Sequence, residues 1–163
     1  MTVDVTFFLE LSHLDFETKN AILKKRRIDK MKTVNVVAAI IFRDSSNGTK
    51  QVFATQRGYG DYKGWWEFPG GKIENGETPE EALVREIQEE LATKITVKKL
   101  IDTIEYDYPT FHLSMRCYAC NVESGSLELL EHENAAWLAK ENLGSVKWLP
   151  ADITILDKVS KLL

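Results

Sequence analysis

Glu86, Glu89 and Glu90 stand at positions i, i+3 and i+4 of the stretch PEEALVREIQEEL, residues 79–91. On a helix this spacing brings all three carboxylates out on one side. Like charges so placed destabilise an isolated helix by roughly 0.2–0.5 kcal/mol per pair. Acidic faces that merely meet solvent usually intersperse lysines, yet Arg85 is the one basic residue between Glu80 and Ala92. A divalent cation would turn the repulsion into coordination, and a hard ion such as Mg²⁺ takes carboxylate and carbonyl oxygens. Taken alone, the helix also reads as a well-solvated acidic surface.

The segment just ahead of it, EFPGGKIENGE (67–77), favours the metal. Gly70 and Gly71 let backbone approach a ligand closely and turn sharply. Glu77, one residue before Thr78, can point back to the same region. Thr78 as cap, Pro79 at the first helical position and Glu81 as partner in a capping box fix where the helix begins. Leu83, Ile87 and Leu91 recur every four residues as an apolar stripe that docks on a sheet.

Gly71, then Glu77, then Arg85-Glu86-Ile87-x-Glu89-Glu90, with five and seven residues between, resemble the signature box of the Nudix hydrolases. The family pattern ends in glycine and an aliphatic residue, where this chain has Ala92 and Thr93. Alanine in a left-handed helix exit costs about 1 kcal/mol, which puts that exit in question. The resemblance implies an α+β Nudix fold, an α/β/α sandwich around a mixed central β-sheet. It implies metal ligation by Glu86, Glu90, Glu131 and the carbonyl of Gly70, with Glu89 among or beside them. Either Glu86 or Glu131 would be the general base. The cofactor would be Mg²⁺, with Mn²⁺ as a substitute. Gly71, Glu77 and Arg85 would support the cluster, Arg85 facing away from the metal and pairing with Glu77 or Glu81.

Flanking stretches extend the likeness from about Val34 to Val159. VVAAIIF and ATQR upstream, and LLEHENAAWLA and WLPADITIL downstream, resemble the MutT-type and CTP pyrophosphohydrolase-like subgroup. That subgroup cleaves nucleoside triphosphates to monophosphate and pyrophosphate and clears damaged nucleotides from the pool. The likeness assigns nucleotide contacts to Arg57, Glu67, Phe68, Pro69, Gly70 and Asp152. Its members that prefer 8-oxo-dGTP typically carry Asn where this chain has Asp152; Asp accompanies CTP or modified dCTP. An ionised Asp only accepts hydrogen bonds, whereas a protonated one also donates. From residue type alone, Arg57 suits phosphate by its planar fork but equally reads as a surface arginine. Asp152 equally reads as the cap of a following helix. His112 and His132 read as structural residues, and Trp65 and Trp66 as pocket rim or packing. Two other functions fit the box less well. One is hydrolysis of a nucleoside diphosphate-linked substrate such as ADP-ribose. The other is a non-catalytic nucleotide-binding module, against which the intact set of box acids counts.

At 163 residues the chain holds one domain with a substantial core. A net charge of −4 gives no global attraction for a nucleic acid polymer or an anionic membrane. The implied partner is a small nucleotide, bound by a monomer or a homodimer. No apolar run approaches the roughly 20 residues of a membrane-spanning helix, and the N-terminus lacks a basic signal-peptide region, so a cytoplasmic protein is expected. Cys117 and Cys120 lack further zinc ligands at matching spacing and read as ordinary buried thiols on opposite strand faces.

The elements follow from periodicity. Residues 34–42 and 51–57 read as strands, 95–108 and 111–122 as an antiparallel pair, 134–145 as a short helix, and 151–163 as an amphipathic helix. Residues 1–30, with a charged helix over 12–30 and the basic cluster Lys24 to Arg27, read as a helical appendage. The Nudix domain would then span 31–163.

Overall fold

The apolar run at 34–42 becomes the centre of a mixed sheet in the computed structural model, which describes residue 11 and residues 13–163. β1 (Lys32–Asp44) runs parallel to β6 (Phe111–Ser124) and antiparallel to β2 (Lys50–Gln56) and β4 (Gly70–Lys72). β5 (Lys94–Asp107) pairs antiparallel with β6, while β3 (Trp66–Glu67) and β7 (Asn134–Ala139) pair with β2. Residues 1–10 and 12 and the side chains of 27–30 lie outside the described residues, and with them part of the basic cluster.

Strand alternation divides the core in two. Val37, Ala39 and Ile41 face one side with Leu83, Ile87 and Leu91 of α2 (Pro79–Leu91). Ala38 and Ile40 face the other, with Ala151, Ile155 and Val159 of the C-terminal segment. Both faces are therefore covered by helix, giving the α/β/α sandwich. The three α2 side chains are wholly buried, each contributing roughly 1.5–3 kcal/mol. Cys117 and Cys120 are buried in different clusters, as their spacing requires.

α1 (Phe16–Lys30) precedes the sheet. The helix expected at 134–145 does not form. Residues 134–139 pair with six residues of β2, putting Leu138 in one cluster and Trp137 against Phe53 on the opposite face, 5.0 Å between ring centroids. An open sheet edge outweighs the helical propensity of Ala and Leu there. Only 140–145 turns, as a 3₁₀ helix. The expected C-terminal helix divides into α3 (Pro150–Ile153) and α4 (Leu156–Ser160). Thr154 Oγ1 donates to the Ala151 carbonyl at 2.6 Å, a local bond that competes with the helix ladder. The glycine- and aromatic-rich connection after β2 contains the short strand β3 and leads into β4.

Candidate active site

The box carboxylates of α2 are handled one by one. Thr78 caps the helix through both arms of the capping box: its N–H donates to Glu81 at 2.8 Å, and the Glu81 N–H donates to Thr78 Oγ1 at 3.2 Å. From this fixed start Glu90, 7% exposed, turns toward the sheet and accepts from the Gly70 N–H at 3.1 Å. Glu86 packs against Gly71 so closely that a Cβ there would stand 2.4 Å from its carboxylate. At Gly70 (φ +151°) a Cβ would meet the Val37 carbonyl oxygen at 2.1 Å. The Gly-Gly pair is thus a packing requirement of β4 against β1 and of Glu86 against β4.

Arg85 binds Glu77 with two bonds, Nε to Oε1 at 2.6 Å and Nη2 to Oε2 at 2.9 Å. Glu81 is occupied by the cap. Arg85 does not face away from the cluster: Nη1 also reaches Glu86 at 2.9 Å and Glu89 at 3.2 Å. One guanidinium therefore gathers three box acids, and its hydrogen bonds lower the Glu77 carboxyl to about 2. Glu89 is left on the exposed side, 56% accessible, in contact with Arg85.

Beyond α2 the chain turns at Ala92, whose φ of 46° and ψ of 36° are left-handed. The alanine keeps the exit a glycine would make. Thr93 supports it from a fully buried position: its hydroxyl donates to the Leu91 carbonyl at 2.8 Å and accepts from the Leu127 N–H at 2.8 Å. Glu128 and Leu130 then donate their N–H groups to the free carbonyls of Leu91 (2.9 Å) and Glu90 (3.0 Å). This stitching delivers Glu131, exposed, to the vicinity of Glu86 and Glu90, whose carboxyls its charge helps to raise.

A cavity of about 330 Å³ opens beside Gly70 and Gly71. Arg57, Glu67, Phe68, Gly70 and Asp152 line it, five of the six residues expected to contact a nucleotide. Pro69 does not. It is buried, with its carbonyl taken by the Ala39 N–H at 2.8 Å. Asp152 sits inside α3 rather than capping it, and its Oδ1 accepts from the Phe68 N–H at 2.9 Å. Complete burial pushes its carboxyl up to about 8. Arg57 donates to Glu67 at 2.8 Å, so it is no free surface arginine. Val37 lines the cavity, whereas Trp65 and Trp66 do not. Tyr62, Tyr108 and Phe111 form an aromatic wall that sequence reasoning missed. The GYGDY run hinted at Tyr62, but only the β5–β6 hairpin brings the other two across.

The cluster suits a hard cation in donor type, being built from carboxylate and carbonyl oxygens. Burial, together with the like charges of Glu67, Glu86 and Glu131, raises Glu90 to about 8. Among the described residues no three such side chains close around one point. Glu90 and Glu86 each accept from a protein donor, the Gly70 N–H and Arg85. The residues fit a divalent ion that would draw them together.

The sequence model of the NUDIX domain matches residues 32–159. This chain belongs to the Nudix family. Over 127 residues it is 34% identical to the CTP pyrophosphohydrolase of Escherichia coli K12, covering 78% of this chain and 91% of that protein. To the 8-oxo-dGTP diphosphatase of the same organism it is 31% identical over 133 residues, covering 81% of this chain and all of the relative. The solution structure of the E. coli ORF135 protein superposes with a TM-score of 0.68 at 33% identity, covering 82% and 93% of the two chains. As a Nudix hydrolase the chain acts on phosphoanhydride bonds.

Proposed function

We propose that the chain is an Mg²⁺-dependent nucleoside triphosphate pyrophosphohydrolase of the nucleotide-sanitising kind, releasing pyrophosphate and a nucleoside monophosphate. One observation carries the reading. Gly70 and Gly71, on which Glu90 and Glu86 rest, also line the cavity of about 330 Å³, and so does a buried, hydrogen-bonded Asp152. Glu86, Glu90, Glu131 and the Gly70 carbonyl would hold the ion. A divalent cation there neutralises phosphate charge and acidifies a bound water. Arg57, with one N–H on Glu67, presents the rest of its guanidinium to phosphate oxygens. Glu86, carrying a carboxyl raised chiefly by burial, is placed beside the glycine turn to take a proton.

Asp152 selects the base. Near neutrality it keeps its proton, so it offers both a donor and an acceptor. Such a carboxylic acid can bridge the adjacent ring-nitrogen acceptor and exocyclic amine of cytosine. This supports CTP or a modified dCTP ahead of 8-oxo-dGTP. Both cysteines are buried thiols, and burial holds Cys120 at about 12, in keeping with a reducing cytoplasm. None of the described helices is long and apolar enough to cross a membrane. The partner is a small nucleotide rather than a polymer, and the enzyme works as a monomer or homodimer.

Pyrophosphate release from CTP, a 5-substituted dCTP and 8-oxo-dGTP, measured beside hydrolysis of ADP-ribose with Mg²⁺, tests the reading. A triphosphate should lead, with monophosphate as the co-product. Faster cleavage of ADP-ribose, or release of single phosphates, would contradict it.

A further inference from the structure

We infer that His132 is a positioning residue for the nucleotide pocket, fixing the Glu67 carboxylate against Arg57. The inference rests on the reading that Arg57 and Glu67 serve a bound nucleotide. The His132 side chain is 4% exposed, and its Nε2 lies 3.5 Å from Glu67 Oε1, within ion-pair reach. The other oxygen of Glu67, Oε2, receives Arg57 Nη1 at 2.8 Å. The carboxylate is therefore divided between an imidazole behind it and a guanidinium beside it.

Packing alone does not account for this histidine. Its Nδ1 is buried with no hydrogen-bond partner. A buried polar atom left so costs roughly 1–3 kcal/mol, whereas an apolar side chain of similar shape would fill the space without that penalty. The three residues come from three elements: Arg57 follows β2, Glu67 ends β3 and His132 precedes β7. Their backbones are tied, since the Glu133 N–H donates to the Gln56 carbonyl at 3.0 Å and the Arg57 N–H to the Trp65 carbonyl at 2.9 Å. In this arrangement Glu67 gives one oxygen, not both, to Arg57. The rest of the guanidinium, whose Nε is also buried without a hydrogen-bond partner, is then left for the pocket both residues line. Because His132 directly follows Glu131, the same loop that carries the acid to the cluster also sets the pocket's charge pair.

The test is steady-state kinetics of the full chain on CTP with Mg²⁺. Wild type is compared with His132→Phe, His132→Gln, Glu67→Gln and the His132→Phe/Glu67→Gln pair. His132→Phe should raise KM about tenfold while kcat changes less than about twofold. His132→Gln, whose amide N–H can reach Glu67, should recover most of that loss. The pair should lose no more than Glu67→Gln alone, because the two substitutions break one contact. Kinetics of His132→Phe equal to wild type, or penalties that multiply in the pair, would overturn the inference. The ¹⁵N shifts of the His132 ring in wild type and Glu67→Gln pose the question without replacing the histidine. A changed Nε2 shift is expected, and an unchanged one overturns the contact. A wild-type chain that splits no triphosphate refutes the proposed function instead, and the ring shifts then decide the His132–Glu67 contact.

Discussion

A carboxyl buried as completely as that of Asp152 holds its proton to about pH 8, against 3.8 for an ordinary aspartate. The sign of the consequence follows from linkage. Below about pH 4 the folded and unfolded chains both carry the proton. Between about pH 4 and 8 the unfolded chain has lost a proton that the folded chain keeps, so stability falls as pH rises, by up to about 1.4 kcal/mol per pH unit. Asp152→Asn removes that slope while its Oδ1 still accepts the Phe68 N–H. Urea denaturation at pH 5 and pH 8 should show the variant gaining on wild type as pH rises. A constant gap would contradict the burial argument. The same substitution also removes the hydroxyl donor, which ties the stability of the site to its choice of base.

At the scale of elements, the left-handed turn at Ala92 decides where Glu131 goes. An L-residue in that conformation costs roughly 1–2 kcal/mol, while the bonds of Thr93 and the capping of Leu91 and Glu90 by the 128–130 backbone hold it there. Ala92→Gly should therefore stabilise the protein by about 1 kcal/mol and raise Tm by a few degrees, as read by thermal unfolding. A lower Tm would mean that the turn is not strained. The start of α2 was plain in the sequence, because Thr78, Pro79 and Glu81 act within one turn of each other. So was the apolar stripe that docks it. The strand at 134–139 was not, because Asn-Ala-Ala-Trp-Leu-Ala carries no local strand preference and answers only to the open edge of β2. Arg57, Glu67 and Asp152 could be placed by resemblance, but their hydrogen bonds could not. The aromatic wall of Tyr62, Tyr108 and Phe111 depends on a hairpin returning across the sheet, which no local pattern encodes.

Across the whole molecule, a net charge of −4 makes any attraction for a polyanionic substrate local, a task that the proposed function gives to a divalent ion and Arg57. We propose that residues 31–163 form the Nudix folding unit and that 1–30 are an appendage. Leu11 is buried, and Lys24 shares a second cavity of about 560 Å³ with Tyr62 and Tyr108. A chain starting at Met31 should keep kcat while losing the roughly 1.5–3 kcal/mol that burial of Leu11 contributes. Loss of turnover on truncation would instead make 1–30 part of the enzyme.

The proposed activity requires the cluster of Glu86, Glu90 and Glu131 to take up a divalent cation, which calorimetric titration of Mg²⁺ or Mn²⁺ measures. It would be run with and without a non-hydrolysable triphosphate analogue. Saturable uptake is predicted for wild type, weakened about 10-fold or more in Glu86→Gln and Glu90→Gln. No uptake under either condition, or uptake indifferent to both substitutions, would rule out metal binding by these carboxylates.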